Sequence, residues 1–87
     1  MKKELDEIIN IFTSISDKHT MRKLFDELLT ENERQNLALR WKLLEKLSKN
    51  TPQREIAKTL HLSLCKITRG SKILKNKKSA CSKILNK

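Results

Sequence analysis

Pro52-Gln-Arg-Glu-Ile-Ala-Lys-Thr-Leu-His-Leu-Ser-Leu-Cys-Lys-Ile-Thr-Arg-Gly-Ser71 is the stretch on which the fold turns. Ile56, Ala57 and Leu60 set an apolar stripe on one short helix, Leu62 fills a corner, and Ile67 with Leu74 gives a second helix its inner face. Ala57 is small where two steeply crossed helices approach, and a bulkier side chain there would hold them apart. His61 stands at the corner position usually taken by glycine, so a left-handed backbone is expected there, which His tolerates better than a β-branched residue. Ser63 can cap the second helix. The spacing predicts a helix-turn-helix, the motif that sets its second helix into the major groove of DNA.

Upstream, apolar residues recur at helical steps. Leu5, Ile8, Ile9, Phe12 and Ile15 predict an amphipathic helix over roughly Lys3 to Ser16. Asp17 caps a second helix whose stripe is Met21, Leu24, Phe25 and Leu28 and which ends near Leu29. Thr30-Glu-Asn-Glu33 has the form of a capping box, in which hydroxyl and carboxylate satisfy each other's unpaired backbone donors. The third helix runs from there to about Ser48, with Leu37, Trp41, Leu44 and Leu47 expected inward and Trp41 read as a core residue. Lys49-Asn50 breaks it, and Thr51 followed by Pro52 is expected to act as cap and first-turn proline of the fourth helix. Beyond Leu74 only Ala80, Ile84 and Leu85 could build a short helix, so a frayed basic tail is expected.

The 87 residues carry a single glycine, a single proline and no strand-like alternation, which predicts one all-α domain of five to six helices. A domain of this size buries only about 60 to 65% of the surface its unfolded chain exposes, so a partner subunit is expected. Residues 1–48 read as a dimerisation core, 52–75 as the helix-turn-helix segment and 76–87 as the basic tail. Net charge is +10, and its distribution is uneven: Met1 to Glu55 holds eleven Lys/Arg against ten Asp/Glu, whereas Ile56 to Lys87 holds nine against none. A one-sided positive field attracts a polyanion by counterion release, and the helix-turn-helix lies inside it. No apolar run approaches the roughly 20 residues of a membrane span, and no signal-peptide core opens the chain, so a soluble, cytoplasmic protein is expected. Cys65, Cys81, His19 and His61 show no ligand spacing, so no metal is expected and the thiols read as reduced.

With Ile67 at the centre of the inner face, a step of about 100° per residue sends Cys65, Arg69 and Lys72 to the opposite side, with Lys66 and Thr68 on its flanks. These residues and the capping Ser63 are the groove-facing candidates. Lys66 and Thr68 are early enough to read base edges, while Gln53 and Arg54, opening the fourth helix, suit phosphates.

Two stretches narrow the reading: Leu28-Leu-Thr30-Glu-Asn-Glu33-Arg34, and Gln53-Arg-Glu-Ile56 leading to Ile67-Thr-Arg-Gly-Ser-Lys-Ile-Leu-Lys75. Together they resemble the bacterial tryptophan repressor family over roughly Leu28 to Lys75, with Ile-Thr-Arg-Gly-Ser the most specific piece. The resemblance implies an intertwined homodimer whose reading heads are set for a palindromic operator by bound L-tryptophan, acting as co-repressor. It implies that Arg40 and Arg69 sandwich the indole ring, that Thr30 reaches the ligand carboxylate from the opposite subunit, and that Leu43 and Gly70 are the pocket wall and the close-approach glycine. Stacking on an aromatic face while gripping a carboxylate is chemistry that Arg does and Lys does not. Ile73 stands where the family often places a hydroxyl near the ligand amino group, and the basic tail replaces the family's closing helix.

The function expected is a tryptophan-responsive repressor of tryptophan-metabolism genes. The competing reading keeps the DNA-binding fold without the tryptophan gate, as a regulator answering another ligand or a mobile-element subunit. A basic protein for an acidic partner or membrane surface rests on the charged segment alone. No enzyme is expected: Cys65 has no His-based dyad, and neither a phosphate loop nor a cofactor motif occurs.

Overall fold

The computed structural model describes residues 1–86 and consists of six helices: α1 (Lys2–Ser14), α2 (Lys18–Leu28), α3 (Glu31–Ser48), α4 (Gln53–Leu60), α5 (Leu64–Lys75) and α6 (Ala80–Leu85). No strand occurs among the described residues. The chain divides into two compact units, Met1–Arg34 and Gln35–Lys87.

In the first unit the sequence signals for helix ends are made in full. Asp17 caps α2, its Oδ2 accepting from the Thr20 backbone N–H at 2.7 Å and from the Thr20 hydroxyl at 2.6 Å. The capping box closes both ways, with Thr30 N–H donating to Glu33 Oε1 at 2.8 Å and Glu33 N–H donating to the Thr30 hydroxyl at 3.1 Å. Arg34 braces the α2–α3 corner, its Nη1 donating to the Leu29 carbonyl at 2.6 Å and the Asp26 carbonyl at 3.1 Å. Phe12 stacks on Phe25 with ring centroids 5.4 Å apart, joining α1 to α2. No residue of α1 or α2 is buried, and Leu5, Ile9, Ile11 and Leu28 are each at least half exposed.

The second unit holds the core. Leu43 of α3, Ile56 of α4 and Ile67 of α5 are buried together, with Leu47, Ala57, Leu60 and Leu62 packed around them. The corner between α4 and α5 takes the predicted form: His61 has φ 54° and ψ 43°, and Ser63 Oγ accepts from the Lys66 N–H at 3.4 Å. α3 ends where Lys49-Asn50 was expected to break it. Asn50 adopts φ 61°, its N–H donates to the Leu47 carbonyl, and the Thr51 N–H reaches back to the Lys46 carbonyl at 3.0 Å, a left-handed helix stop. Thr51 is therefore spent closing α3, and Pro52 rather than Thr51 sits at the cap of α4.

Two expectations are corrected. Trp41 is not a core residue of this chain: it is 40% exposed, as is Leu37 at 44%. About 100° per residue carries Trp41 to the far side of α3 from Leu43 and Leu47, which are the residues that meet α4 and α5, and leaves Leu37 on the flank. The segment after Lys75 does not fray over its described length but forms α6, held by polar groups instead of an apolar stripe. Ser79 Oγ accepts from the Ser82 N–H at 3.0 Å, and the buried Ser82 hydroxyl donates to the Leu74 carbonyl of α5 at 3.4 Å while accepting from Asn86 Nδ2 at 3.1 Å. Lys87, the end of the expected tail, lies outside the described residues.

Ile67→Ala should cost about 2–5 kcal/mol in urea unfolding, because its side chain is wholly enclosed; Cys65→Ser, at an exposed position, should leave the midpoint nearly unchanged. Acid should expose the caps. The Thr20 hydroxyl, then its N–H, lowers the Asp17 pKa, and the Thr30 N–H, then its hydroxyl, lowers that of Glu33. Their contribution is present above the ordinary values of 3.8 and 4.5 and is lost as pH falls through the lower folded-state values. Asp17→Asn and Glu33→Gln should therefore reduce Tm at neutral pH, by an amount that shrinks once the wild-type carboxyls are protonated.

Candidate ligand pocket and nucleic-acid interface

α3 and α5 approach closely because Gly70 has no side chain. A Cβ built there would lie 3.1 Å from Leu47 Cδ1 and 3.3 Å from Leu43 Cδ2, tighter than ordinary contact. Beside that approach the two helices diverge around a cleft of about 260 Å³. α3 contributes Asn36, Leu39, Arg40, Leu43 and Leu44, one face of a helix read at three- and four-residue steps. α5 contributes Lys66, Arg69, Gly70 and Ile73, and Leu62 comes from the helix-turn-helix corner. The leucines and Ile73 make the walls apolar. Arg40, Lys66 and Arg69 bring positive charge, and no Asp or Glu lines the cleft.

Five of the six residues singled out for ligand binding thus meet at one place: Arg40, Leu43, Arg69, Gly70 and Ile73. Thr30 does not line the cleft of its own chain; it caps α3 through Glu33. Sequence reasoning missed Asn36, Leu39, Leu44 and Leu62 as lining residues, although the first three share a helix face with Arg40 and Leu43. It also assigned Lys66 to DNA alone, whereas Lys66 borders the cleft.

The DNA candidates form an exposed set. Gln53 and Arg54 lie in the first turn of α4, and Ser63, Cys65, Lys66, Thr68, Arg69 and Lys72 follow along α5. The Ser63 hydroxyl already caps α5. The Thr68 hydroxyl donates to the Leu64 carbonyl at 2.8 Å, so towards a base edge it offers a methyl group and an acceptor lone pair. Leu64, at the head of α5, is 61% exposed and was missed because it falls off the inner stripe. From Ile56 onwards there is no acidic side chain, and none of the described Lys or Arg residues of this stretch forms an ion pair. The field over α5 is undiluted by internal partners.

Cys65 is exposed and Cys81 half-buried, both as free thiols. Among the described residues no group of three or more His, Cys, Asp or Glu could hold a metal ion, and no helix is long and apolar enough to cross a membrane.

Comparison with known proteins is consistent along the chain. The chain is 34% identical to a Trp operon repressor homolog of Vibrio campbellii over 76 residues, 86% of this chain and 76% of that protein. The homolog of Vibrio parahaemolyticus is 33% identical over 79 residues, 90% of this chain and 77% of the relative. That of Actinobacillus succinogenes reaches 49% identity over 49 residues, covering 55% of this chain and 48% of the relative. No solved structure matches. Residues 3–87 match the profile of the family described as Trp repressor protein. With a helix-turn-helix whose second helix forms one wall of a cationic cleft, and with that match spanning nearly every residue, the chain belongs to the Trp repressor protein family, a family of regulators.

Proposed function

We propose that this protein is a tryptophan-responsive transcriptional repressor of tryptophan-metabolism genes, a cytoplasmic homodimer that binds a palindromic operator with L-tryptophan as co-repressor. The observation that carries the reading is the cleft between α3 and α5, with Arg40 and Arg69 on opposite walls. A flat aromatic ligand there stacks between two guanidinium planes, and Arg69 grips its carboxylate. Because α5 is both pocket wall and groove-reading helix, filling the pocket fixes the orientation of the reading surface. Ligand and DNA are then linked, and each raises the other's affinity by the same factor.

Support for a second subunit comes from apolar surface. Leu5, Ile9, Ile11, Leu28, Leu37 and Trp41 are all 40% or more exposed on the isolated chain. Large apolar side chains left open in each of the two units are what a partner subunit would cover. Residues 1–48 are accordingly assigned to dimerisation, with Thr30 reaching the partner's ligand; 52–75 to DNA; and 76–87, which includes α6, to a basic closing segment. Two heads on a dimer axis engage half-sites about 34 to 36 Å apart. Gln53, Arg54 and Lys72 hold phosphates, while Ser63, Cys65, Lys66, Thr68 and Arg69 meet the groove.

Ile73 favours a second reading. It puts an aliphatic side chain in the cleft where the resemblance calls for a hydroxyl, and an unpaired ammonium buried there costs about 1–3 kcal/mol. A family member gated by a different ligand, or by none, is what that residue argues for.

Calorimetry and operator gel shifts decide between the readings. L-tryptophan should bind the full chain and raise operator affinity at fixed salt, and Arg40→Ala or Arg69→Ala should abolish the gain while far-UV circular dichroism stays helical. No binding at millimolar tryptophan, with operator affinity indifferent to it, would overturn the tryptophan reading in favour of the second.

A further inference from the structure

Lys66 occupies two places at once. It lies in the first turn of α5, among the groove-facing candidates, and it borders the cleft with Arg40 and Arg69. Three cationic residues therefore line one cavity of about 260 Å³, and no carboxylate residue lines it. None of the three is ion-paired among the described residues, and the first turn of α5 holds no acidic residue to neutralise Lys66. The remaining walls are aliphatic apart from Asn36, with Ile73 on the α5 side.

The charge count has a consequence for the ligand. Two arginines suffice to clamp an aromatic ring and hold one carboxylate, so a third cation leaves an excess of positive potential in a partly enclosed apolar cleft. A zwitterion does little to discharge it, because its ammonium cancels its carboxylate and finds a third like charge nearby. An aromatic acid without an ammonium brings a net negative charge and asks for no acceptor opposite Ile73.

We propose that Lys66 belongs to the ligand pocket, where its ammonium pairs with an anionic group of the ligand and tilts the cleft towards net-negative aromatic carboxylates. The proposal rests on the reading of the cleft as the effector site, and makes Lys66 a ligand contact before it is a DNA contact.

The test is titration calorimetry on the full chain without DNA, using three probes that share an indole: L-tryptophan, indole-3-propionate, which lacks the ammonium, and tryptamine, which lacks the carboxylate. Lys66→Gln should weaken indole-3-propionate by about three- to tenfold, as expected for one partly screened charged contact. It should weaken L-tryptophan less, and leave tryptamine unchanged or tighter. Lys66→Arg should restore most of the loss. Circular dichroism serves as the control for folding, since the residue is exposed.

Indole-3-propionate affinity that stays within twofold in Lys66→Gln overturns the proposal, and does so independently of the tryptophan reading, which stands or falls on wild-type binding of L-tryptophan. A Lys66-dependent response to indole-3-propionate alone supports the proposal while removing tryptophan as the effector. Binding of none of the three probes overturns both.

Discussion

Ile56 and Ile67 are enclosed completely, and with Leu43 they tie α4 and α5 to α3. On that three-way contact the rest of the second unit depends. It sets the crossing of the helix-turn-helix, and it draws α5 so close to α3 that a methyl group at residue 70 would press on Leu47 and Leu43. The cleft beside the contact follows from the same geometry: two helices in close contact at one point and crossing at an angle must open away from it. Packing and cleft are one arrangement, and substitutions at Leu43 or Gly70 perturb both.

The helix-turn-helix and the helix ends were legible in the sequence because they depend on local chemistry. A capping hydroxyl, an Asx stop or a His in the left-handed region acts within about four residues, and the signals at Asp17, Thr30, Asn50, His61 and Ser63 were each visible as residue types at fixed offsets. Which face of α3 turns inward was not legible. That helix is apolar on two sides, and periodicity alone does not choose between the Leu39, Leu43 and Leu47 line and the Leu37 and Trp41 line. Only the positions of α4 and α5 decide it. α6 escaped for a different reason: its anchor is the Ser82 hydroxyl bonded to Leu74, and a polar anchor leaves no hydrophobic trace. The ligand residues were found through resemblance to a family, whereas Asn36, Leu39, Leu44 and Leu62 required the cleft itself.

The division of the chain into two units bears on how stability is shared. The unit Met1–Arg34 has well-made caps and one aromatic stack but buries nothing in α1 or α2. Hydrogen bonds at helix ends fix direction and length, yet short helices in water owe most of their stability to a covered apolar face. A unit built this way holds its shape only when its faces are covered, so the proposed dimer and the fold of α1 and α2 are a single equilibrium, dependent on protomer concentration.

α5 is restrained unevenly along its length, which bears on how the proposed ligand and DNA sites would be coupled. Ile67, its fourth residue, is held in the core, and its C-terminal turn is held by the Ser82 bond to Leu74 from α6. Ahead of Ile67 the helix carries the exposed Leu64, Cys65 and Lys66, where the Ser63 hydroxyl accepts from the Lys66 N–H at 3.4 Å and the Ser63 carbonyl from the Ile67 N–H at 3.3 Å. The three residues ahead of Ile67 make no core contact, and two of them, Cys65 and Lys66, are among those proposed to meet the groove. On the proposed function, a ligand touching Arg40, Lys66 and Arg69 would tie the first and second turns of α5 to α3. A helix held in place before DNA arrives loses less entropy on binding, and in the proposed repressor that saving would contribute to the coupling between ligand and DNA.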